Sequence, residues 1–261
     1  MNETVVIEYP EFASMGDSAL MVVAGGSISY EINKTVHNMI SVIDDQDWPG
    51  IKEIVPTYSS FVIHFDPIQF SMDGLIECVK NIWDIDTNSE NTSAKTVLIP
   101  TLYGADYGPD LESVSELTKL SVEEVIDIHS KTDYLVYALG FSPGFPYLGG
   151  LDSKIHCPRL GSPRVSVPRG SVAIADSQTG VYPVSSPGGW RLIGRTPVSM
   201  FDPSRVNPSL VTPGDYIRFV PIESEEEYTF ILDSSAEGKY FAPKLYNIKP
   251  VATNKPCNIL K

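Results

Sequence analysis

Two arginines, a glutamine and a threonine in the second half of the chain carry functional groups that bind small anions and amides. Arg191 and Arg195 lie near a glycine-rich turn, and their planar, permanently charged guanidinium groups suit carboxylate or phosphate. Gln178 and Thr179 can hydrogen-bond an amide or a carboxylate, or equally satisfy backbone groups of a barrel. A surface arginine paired within an acidic chain is the structural alternative for Arg195, and the residue types alone leave both interpretations open.

His129 lies near the end of a helix that the sequence predicts from about Ser121. The helix dipole favours a cationic imidazole at that end, which by itself explains the residue structurally. Imidazole also titrates near neutrality and can transfer protons. A structural role and a proton-transfer role are therefore both open for His129.

Several familiar catalytic and cofactor motifs are missing from the sequence. There is no Gly-x-x-x-x-Gly-Lys-Ser/Thr loop for nucleotide phosphates, no Gly-x-Ser-x-Gly elbow and no His-Glu-x-x-His helix. Cys78, Cys157 and Cys257 are odd in number and far apart, which gives neither a disulfide framework nor a zinc site. The sequence thus contains no visible metal ligand set and no self-contained nucleophile.

The chain is acidic, with a formal net charge of −14 over 261 residues. This charge repels a phosphate backbone, so nucleic acid and anionic membranes are not expected as partners. A local basic site can still survive, because six arginines fall within one stretch of the second half: Arg159, Arg164, Arg169, Arg191, Arg195 and Arg205.

The sequence shows no secretory signal at its start and no apolar stretch near the roughly 20 residues that cross a bilayer. We expect a cytoplasmic protein in a reducing compartment.

The first part of the chain alternates strand-like and helix-like patterns. Strands are predicted at residues 5–9, 19–23, 51–55, 60–65 and 95–100, and helices at 31–43 and, after a Ser71 cap, 72–83. This order predicts an α+β domain of the ferredoxin-like, split βαβ type, which we assign to residues 1–90. The polar segment at residues 84–94 is the expected linker.

The second part of the chain has the sequence pattern of an all-β domain. A short helix is predicted at residues 110–119, and Ser121 to Glu124 form a capping box that opens a second helix. Short β-rich runs then follow at residues 134–139, 171–175, 191–193 and 216–220, separated by glycine and proline. We therefore expect a small barrel or sandwich over residues 91–232 with a helix pair near its start, and we leave residues 233–261 unassigned.

Glycine and proline motifs fill residues 137–203. Such loops are rigidly shaped and can present backbone N–H groups to an anion, although tight barrel corners need the same residues. The motifs are Gly140-Phe141-Ser142-Pro143-Gly144-Phe145-Pro146-Tyr147-Leu148-Gly149-Gly150-Leu151, Ser162-Pro163-Arg164, Val167-Pro168-Arg169-Gly170-Ser171-Val172-Ala173-Ile174-Ala175, Gln178-Thr179-Gly180-Val181-Tyr182-Pro183, Ser186-Pro187-Gly188-Gly189-Trp190 and Ile193-Gly194-Arg195-Thr196-Pro197. Their types and order resemble the signature of the allophanate hydrolase subunit 1 / KipI family, and the resemblance extends over roughly residues 5 to 230.

The resemblance implies a ferredoxin-like N-terminal domain followed by a cyclophilin-like barrel, and work in a heteromeric complex with a homologous C-type subunit. In bacterial 5-oxoprolinase, these two subunits act beside an A-type subunit and couple ATP hydrolysis to opening of the 5-oxoproline lactam, which yields glutamate. We therefore expect a 5-oxoprolinase subunit that is inactive alone and shares ATP with its partners. Related domains in urea carboxylase accept carboxyl groups from biotin, and one family member inhibits a sporulation histidine kinase. Both remain alternatives.

The matching motifs also imply site residues. Four are implied to be catalytic: His129, Asp106, Gln178 and Arg195. Others are implied to contact the substrate: Pro143, Gly144, Arg164, Thr179, Gly180, Tyr182, Ser186, Gly188, Gly189 and Arg191.

The sequence departs from the family pattern at two places. Asp176 and Ser177 stand where similar proteins usually carry Gly and then Asn or Gly, which bears on the shape of the loop before Gln178. Gly104-Ala105-Asp106 replaces the more usual Gly-Gly-Glu, so that Asp106 keeps the carboxylate but shortens its reach.

Overall fold

The chain divides into two compact units, Met1–Glu90 and Asn91–Lys261. The computed structural model describes residues 9–83, 94–236 and 242–246. Each unit buries a hydrophobic core of its own. None of the helices in these ranges combines the length and the apolar composition that a membrane-spanning segment requires.

The first unit packs two helices against a four-stranded antiparallel sheet. Its elements are β1 (Glu11–Ser14), β2 (Ala19–Val23), α1 (Tyr30–Gln46), β3 (Ile51–Pro56), β4 (Ser60–Phe65) and α2 (Met72–Trp83). The strand order is β1-β2-β4-β3. The predicted hydroxyl cap is confirmed, because the Gly74 backbone N–H donates to Ser71 Oγ at 3.1 Å at the start of α2.

The last strand that we predicted for the first unit belongs to the second. Lys95 to Pro100 was expected to close the split βαβ sheet, but it forms the first strand of the second unit. In the described part of the first unit, the sheet edge beside β2 is taken by β1, which forms a hairpin with β2. The strand predicted at residues 5–9 lies outside the described residues, apart from Tyr9. The ferredoxin-like assignment therefore stays a prediction.

The second unit is a closed barrel with helices. Its elements are β5 (Lys95–Tyr103), α3 (Leu111–Thr118), α4 (Val122–Ser130), β6 (Tyr134–Gly140), β7 (Phe145–Gly149), a 3₁₀ turn (Ser153–Ile155), β8 (Arg164–Val167), β9 (Ser171–Ala175), β10 (Gln178–Val181), β11 (Ser186–Gly188), β12 (Arg191–Arg195), β13 (Tyr216–Pro221), α5 (Glu225–Ala236) and β14 (Lys244–Tyr246). The predicted helix pair corresponds to α3 and α4, and the capping box is confirmed by hydrogen bonds in both directions between Ser121 and Glu124.

Seven strands close the barrel in the order β12-β9-β10-β7-β6-β13-β5, and β5 pairs back onto β12. The pair β5–β13 is parallel, and the other pairs are antiparallel. Strand β14 adds to the free part of β5. The prediction of a barrel for this unit is confirmed.

The barrel strands bury side chains on both faces. Val172 and Ile174 of β9 point into the main core, which α3 and α4 also contact. Ala173 and Ala175, which alternate with them, point to the opposite face and belong to a second, smaller cluster. Strands β8 and β11 form a separate two-stranded ribbon, and Val167 of that ribbon packs into the second cluster. We call this opposite face of β7, β9, β10 and β12 the outer face.

Candidate functional site

The structure places His129 inside the main core. It is fully buried, and its ring stacks on Phe219 with 4.6 Å between the ring centroids. Nδ1 lies 2.7 Å from the Tyr103 hydroxyl and Nε2 lies 2.9 Å from the Thr179 hydroxyl. Burial lowers the pKa of His129 to about 3, so the imidazole is neutral at physiological pH.

The hydrogen bonds around His129 run in one direction. The Thr179 hydroxyl donates its single hydrogen to the Ala173 carbonyl at 3.1 Å, so toward His129 it must accept, and Nε2 carries the ring hydrogen. Nδ1 then accepts from Tyr103. This series of hydrogen bonds links α4 to β5 and β10 through the core. The geometry supports the structural interpretation of His129 and Thr179, because a molecule arriving from solvent does not reach either side chain.

The outer face carries an aromatic cluster over β7 and β10. The Phe145 ring is edge-on to Tyr182 and to Trp190, with centroid distances of 5.5 and 5.7 Å. Gly180 lies beneath it, since a Cβ there would stand 3.2 Å from ring atoms of both Phe145 and Trp190. Gln178 is two residues from Gly180 on β10 and therefore faces the same side. Three of the predicted site residues thus share this face.

An arginine group lies beside the aromatic cluster and is organised by Asp110. Arg164 Nη2 donates to Asp110 Oδ1 at 2.7 Å, and the Leu192 backbone N–H donates to Asp110 Oδ2, also at 2.7 Å. Arg191 Nη1 donates to Ser113 Oγ at 3.1 Å, and Ser113 in turn donates to the Asp110 carbonyl at 2.8 Å. The turn before α3 therefore orients Arg164, and the first turn of α3 orients Arg191.

The ribbon brings further predicted residues to the arginine group. Gly188 of β11 pairs with Arg164 of β8, and a Cβ at Gly188 would clash with the Tyr182 hydroxyl. Burial raises the pKa of Tyr182, and a backbone hydrogen bond with Trp190 and the nearby guanidiniums of Arg159 and Arg164 act in the opposite direction. At neutral pH the Tyr182 phenol is a neutral hydrogen-bonding group. Two more predicted residues flank Gly188: Ser186 and Gly189.

The charges of the arginine group do not balance. Arg159 pairs with Asp176 at 3.2 Å and Arg164 with Asp110, whereas Arg191 has no carboxylate within ion-pair distance among the residues that the structure describes. Three guanidinium groups thus face two carboxylates. The arrangement can bind a small anion.

Sequence reasoning missed several residues of this group. Asp110 carries the clearest signal, because Gly108-Pro109-Asp110-Leu111 is one of the segments that match the family pattern. Arg159, Ser113 and Trp190 had no signal strong enough to single them out as functional. Cys157 lies close to these charges, but burial raises its pKa to about 11, so its thiol is protonated and does not serve as a nucleophile at neutral pH.

Pro143 and Gly144 lie apart from the arginines. They line a cleft of about 430 Å³ at the β6–β7 turn, together with Phe201 and Ser209 among others, and none of its lining residues is charged. Phe141 in this turn is 64% exposed and meets Phe145 edge-on at 5.5 Å. The cleft therefore adjoins the aromatic cluster but suits a neutral, apolar group rather than an anion.

Arg195 and Asp106 meet at a different place. Arg195 Nη2 donates to the backbone carbonyl of Asp106 at 3.2 Å, not to its carboxylate. Arg191 and Arg195 begin and end β12, so they are about 13 Å apart along the strand. The structure thus does not bring Arg195 and Asp106 together with the group around Arg191.

Each departure from the family pattern includes a residue whose backbone is in the left-handed conformation. Asp176, in the turn between β9 and β10, has φ 52°, and Ala105 has φ 45°. Asp tolerates this conformation in tight hairpin turns, whereas Ala adopts it with strain. The β9–β10 turn is a tight hairpin that still pairs Gln178 with Ala175.

Among described residues, no group of three or more His, Cys, Asp or Glu side chains is placed to hold a metal ion. The chain combines a closed barrel, a two-stranded ribbon and a group of three arginines held by the turn before α3, by α3 and by the β9–β10 turn.

The chain belongs to the carboxyltransferase domain family, subdomain C and D, whose model matches residues 10–211. Among curated proteins, it is 42% identical over 230 residues to the B-type subunit of the 5-oxoprolinase of Bacillus subtilis, a match that covers 84% of this chain and 95% of that protein. It is 44% identical over 176 residues to the corresponding 5-oxoprolinase subunit of Escherichia coli O157:H7, which covers 67% of this chain and 80% of the relative. The solved urea carboxylase of Kluyveromyces lactis shares the fold, with a TM-score of 0.75 at 20% identity over 92% of this chain and 24% of that chain.

Proposed function

We propose that this chain is the B-type subunit of a 5-oxoprolinase, which works with A-type and C-type subunits to convert 5-oxoproline to glutamate at the expense of ATP. The observation that carries the proposal is the near full-length similarity to the B-type 5-oxoprolinase subunit of Bacillus subtilis. Because that relative is one subunit of an enzyme, the similarity supports work in an assembly rather than alone.

The arginine group has part of the chemistry that 5-oxoproline requires. The substrate is a five-membered lactam with one carboxylate, and Arg191 supplies a guanidinium that has no carboxylate partner among the described residues. Tyr182 and Trp190 are 2% and 7% exposed, so they do not present a surface to the lactam ring. The Gln178 amide has the groups that complement the N–H and C=O of the lactam, but it pairs with Ala175 on the outer face, whereas Arg191 pairs with Ile174, which points into the main core. We therefore assign the substrate carboxylate to Arg191.

The described residues include no group that could complete the reaction alone. The sequence contains no P-loop, and among the described residues His129 is buried and neutral while Cys157 is buried and protonated. We therefore propose that the chain shares ATP with its partner subunits and that activation of the lactam takes place in the complex. We expect no activity from the isolated chain.

Reconstitution tests this function. The chain, alone and combined with A-type and C-type subunits, is assayed for phosphate release and glutamate formation that depend on 5-oxoproline. We expect activity only from the complete complex. A complete complex that forms but shows no such activity would rule out the proposed function.

A matched pair of variants tests the site within that complex. Arg191→Ala removes the charge that we assign to the substrate carboxylate and is expected to raise KM for 5-oxoproline about thirtyfold or more. Lys131→Ala also removes one positive charge, but from an exposed pair with Asp127, and should leave KM unchanged. If the two variants have the same KM as the unaltered complex, Arg191 does not bind the substrate.

A carboxyl-transfer role is the second candidate. It is favoured by the matching family model, which describes a carboxyltransferase domain. In that case the gene should stand beside one for a biotin carboxylase, and the complete complex should show no ATP hydrolysis that depends on 5-oxoproline.

A further inference from the structure

The sheet of the first unit has an apolar face that neither of its two helices covers. Leu20 and Val22 of β2 point toward α1 and α2 and join the core of this unit. Met21 and Val23 alternate with them and therefore point to the opposite side, where the described part of the chain includes them in no hydrophobic core. We call this side the open face of the first sheet.

A row of apolar side chains crosses the open face from one edge strand to the other. Met21 of β2 pairs with Ala13 of β1 and with Val62 of β4. Val62 pairs in turn with Val55 of β3. Paired residues of neighbouring strands point to the same side of a sheet, so the four side chains form one continuous row. Ala13 is exposed, and the other three are half-buried.

The strand sequences fit a sheet that is covered on both sides. A strand with one solvated face alternates apolar and polar residues, whereas a strand that is buried on both faces is a continuous apolar run. Strand β2 reads Ala-Leu-Met-Val-Val and contains no polar residue. The run Phe61-Val62-Ile63 in the middle of β4 has the same character. These runs indicate a second cover for the sheet, in addition to α1 and α2.

The charge of the first unit indicates which kind of surface can cover the open face. Residues 1–90 contain 15 acidic residues and three lysines, so that −12 of the net charge of −14 lies in this unit. Two of the acidic residues flank the apolar row, because Glu11 pairs with Val23 and Glu53 pairs with His64. Within the described ranges, neither carboxylate forms an ion pair. A second copy of the chain would bring like charges together, whereas a basic surface would be attracted.

We propose that the open face of the first sheet binds a basic protein surface with an apolar centre, which belongs to a partner subunit. Apolar side chains of the partner cover the row from Ala13 to Val55, and its lysines or arginines lie opposite Glu11 and Glu53. The identity of the partner rests on the proposed function. The surface itself does not, since the open face belongs to the first unit and the arginine group to the second.

Assembly of the complex tests this surface. The chain is mixed with the A-type and C-type subunits, and its affinity for them is measured by analytical ultracentrifugation. Val62→Asp places a charge in the middle of the apolar row and should weaken assembly at least about tenfold. Glu53→Lys should also weaken assembly and reduce its salt dependence. The matched control is Ile68→Asp, which adds the same charge at a 93% exposed residue between β4 and α2 and should leave assembly unchanged.

Oxidation of methionine keeps the test valid if circular dichroism shows that Val62→Asp is unfolded. Hydrogen peroxide converts an accessible methionine to its sulfoxide, which mass spectrometry locates. We expect Met21 to be oxidised in the isolated chain and protected in the complete complex. Met72 is half-buried on the side of the helices, so it is the control and should react equally in both.

Every other occupant of the open face gives a different result, and each of these results overturns the proposal. If the isolated chain forms a dimer that Val62→Asp dissociates, a second copy occupies the face. If Met21 is already protected in the isolated monomer, another part of the same chain covers it. If Met21 stays reactive in the complete complex and both Val62→Asp and Glu53→Lys assemble like the unaltered chain, the face binds no partner.

The outcomes for this surface and for the proposed function are distinguishable. A complex that is active and assembles without the open face leaves the proposed function standing and removes this surface. A complex that protects Met21 but has no activity dependent on 5-oxoproline leaves this surface standing and removes the proposed function.

Discussion

A histidine whose two ring nitrogens both meet hydroxyls inside a core has its protonation state fixed by its surroundings. His129 has a pKa of about 3 in the folded chain, against about 6.5 in an unfolded chain. As the pH falls below 6.5, the imidazole therefore becomes protonated in the unfolded state but stays neutral in the folded state. The stabilising contribution of the neutral ring is complete above pH 6.5 and is lost progressively down to pH 3.

We predict that the second unit loses on the order of 2 kcal/mol of stability through this residue between pH 7 and pH 5. Urea denaturation at both pH values measures the loss. His129→Gln, which cannot titrate, should show a smaller difference between the two pH values than the unaltered chain. The control is His64→Gln, at an exposed histidine of β4, which should show the same difference in stability between the two pH values as the unaltered chain. An equal pH dependence for the unaltered chain and His129→Gln would contradict the prediction.

The sequence identified His129 but could not decide its role. The helix-end pattern correctly placed it in the last turn of α4. Its two partners are 26 and 50 residues away, in strands that meet the helix only after the barrel forms. Residue type and local pattern therefore left a structural and a catalytic role open, and only the long-range packing separates them.

At the scale of elements, the turn before α3 holds strands β8 and β12 through one carboxylate. Asp110 is 8% exposed and accepts from both Arg164 and the Leu192 backbone. Asp110→Ala leaves both donors without an acceptor, so we predict a loss of about 2 kcal/mol or more in the free energy of unfolding. Asp110→Asn retains one acceptor oxygen and should lose about 1 kcal/mol.

Urea denaturation of these variants tests the role of Asp110. The matched control is Asp127→Ala, which removes a carboxylate from an exposed pair with Lys131 and should change the stability by less than about 0.5 kcal/mol. If Asp110→Ala is no more destabilising than Asp127→Ala, Asp110 does not organise the turn.

Elements with a local signal were predictable, and those that depend on distant contacts were not. The capping box gave α4, and the β-rich run at residues 171–175 corresponds to β9. Strand β10 lies within the glycine and proline motifs and is not among the predicted strands; its Gly180 is needed where Phe145 and Trp190 approach the strand. Helix α5 buries only Tyr228 and Ile231 among its described side chains, while Phe230 is 70% exposed, and the sequence pattern did not reveal this helix.

At the scale of the whole molecule, the two units have separate cores, and the barrel closes entirely within residues 95–221. We predict that cleavage within residues 84–94 leaves a C-terminal fragment that unfolds cooperatively. Limited proteolysis with mass spectrometry locates the fragment, and circular dichroism follows its unfolding. A fragment that begins at residue 111 is the control, because it lacks β5 and cannot close the barrel. The absence of a protected fragment that begins within residues 84–94 would contradict the division.

The pairing of β5 with β13 has a consequence for how the chain folds during synthesis. Lys95 and Asp215 form an ion pair at 2.7 Å although 120 residues separate them. The ribosome therefore releases the first strand of the barrel long before its parallel neighbour is synthesised. Contacts between residues so far apart in the sequence form slowly. The sheet of the first unit needs only residues 11–65 and can assemble while translation continues. Until β13 emerges, β5 carries an unpaired edge that is open to aggregation, and this interval is when the nascent chain most needs a chaperone.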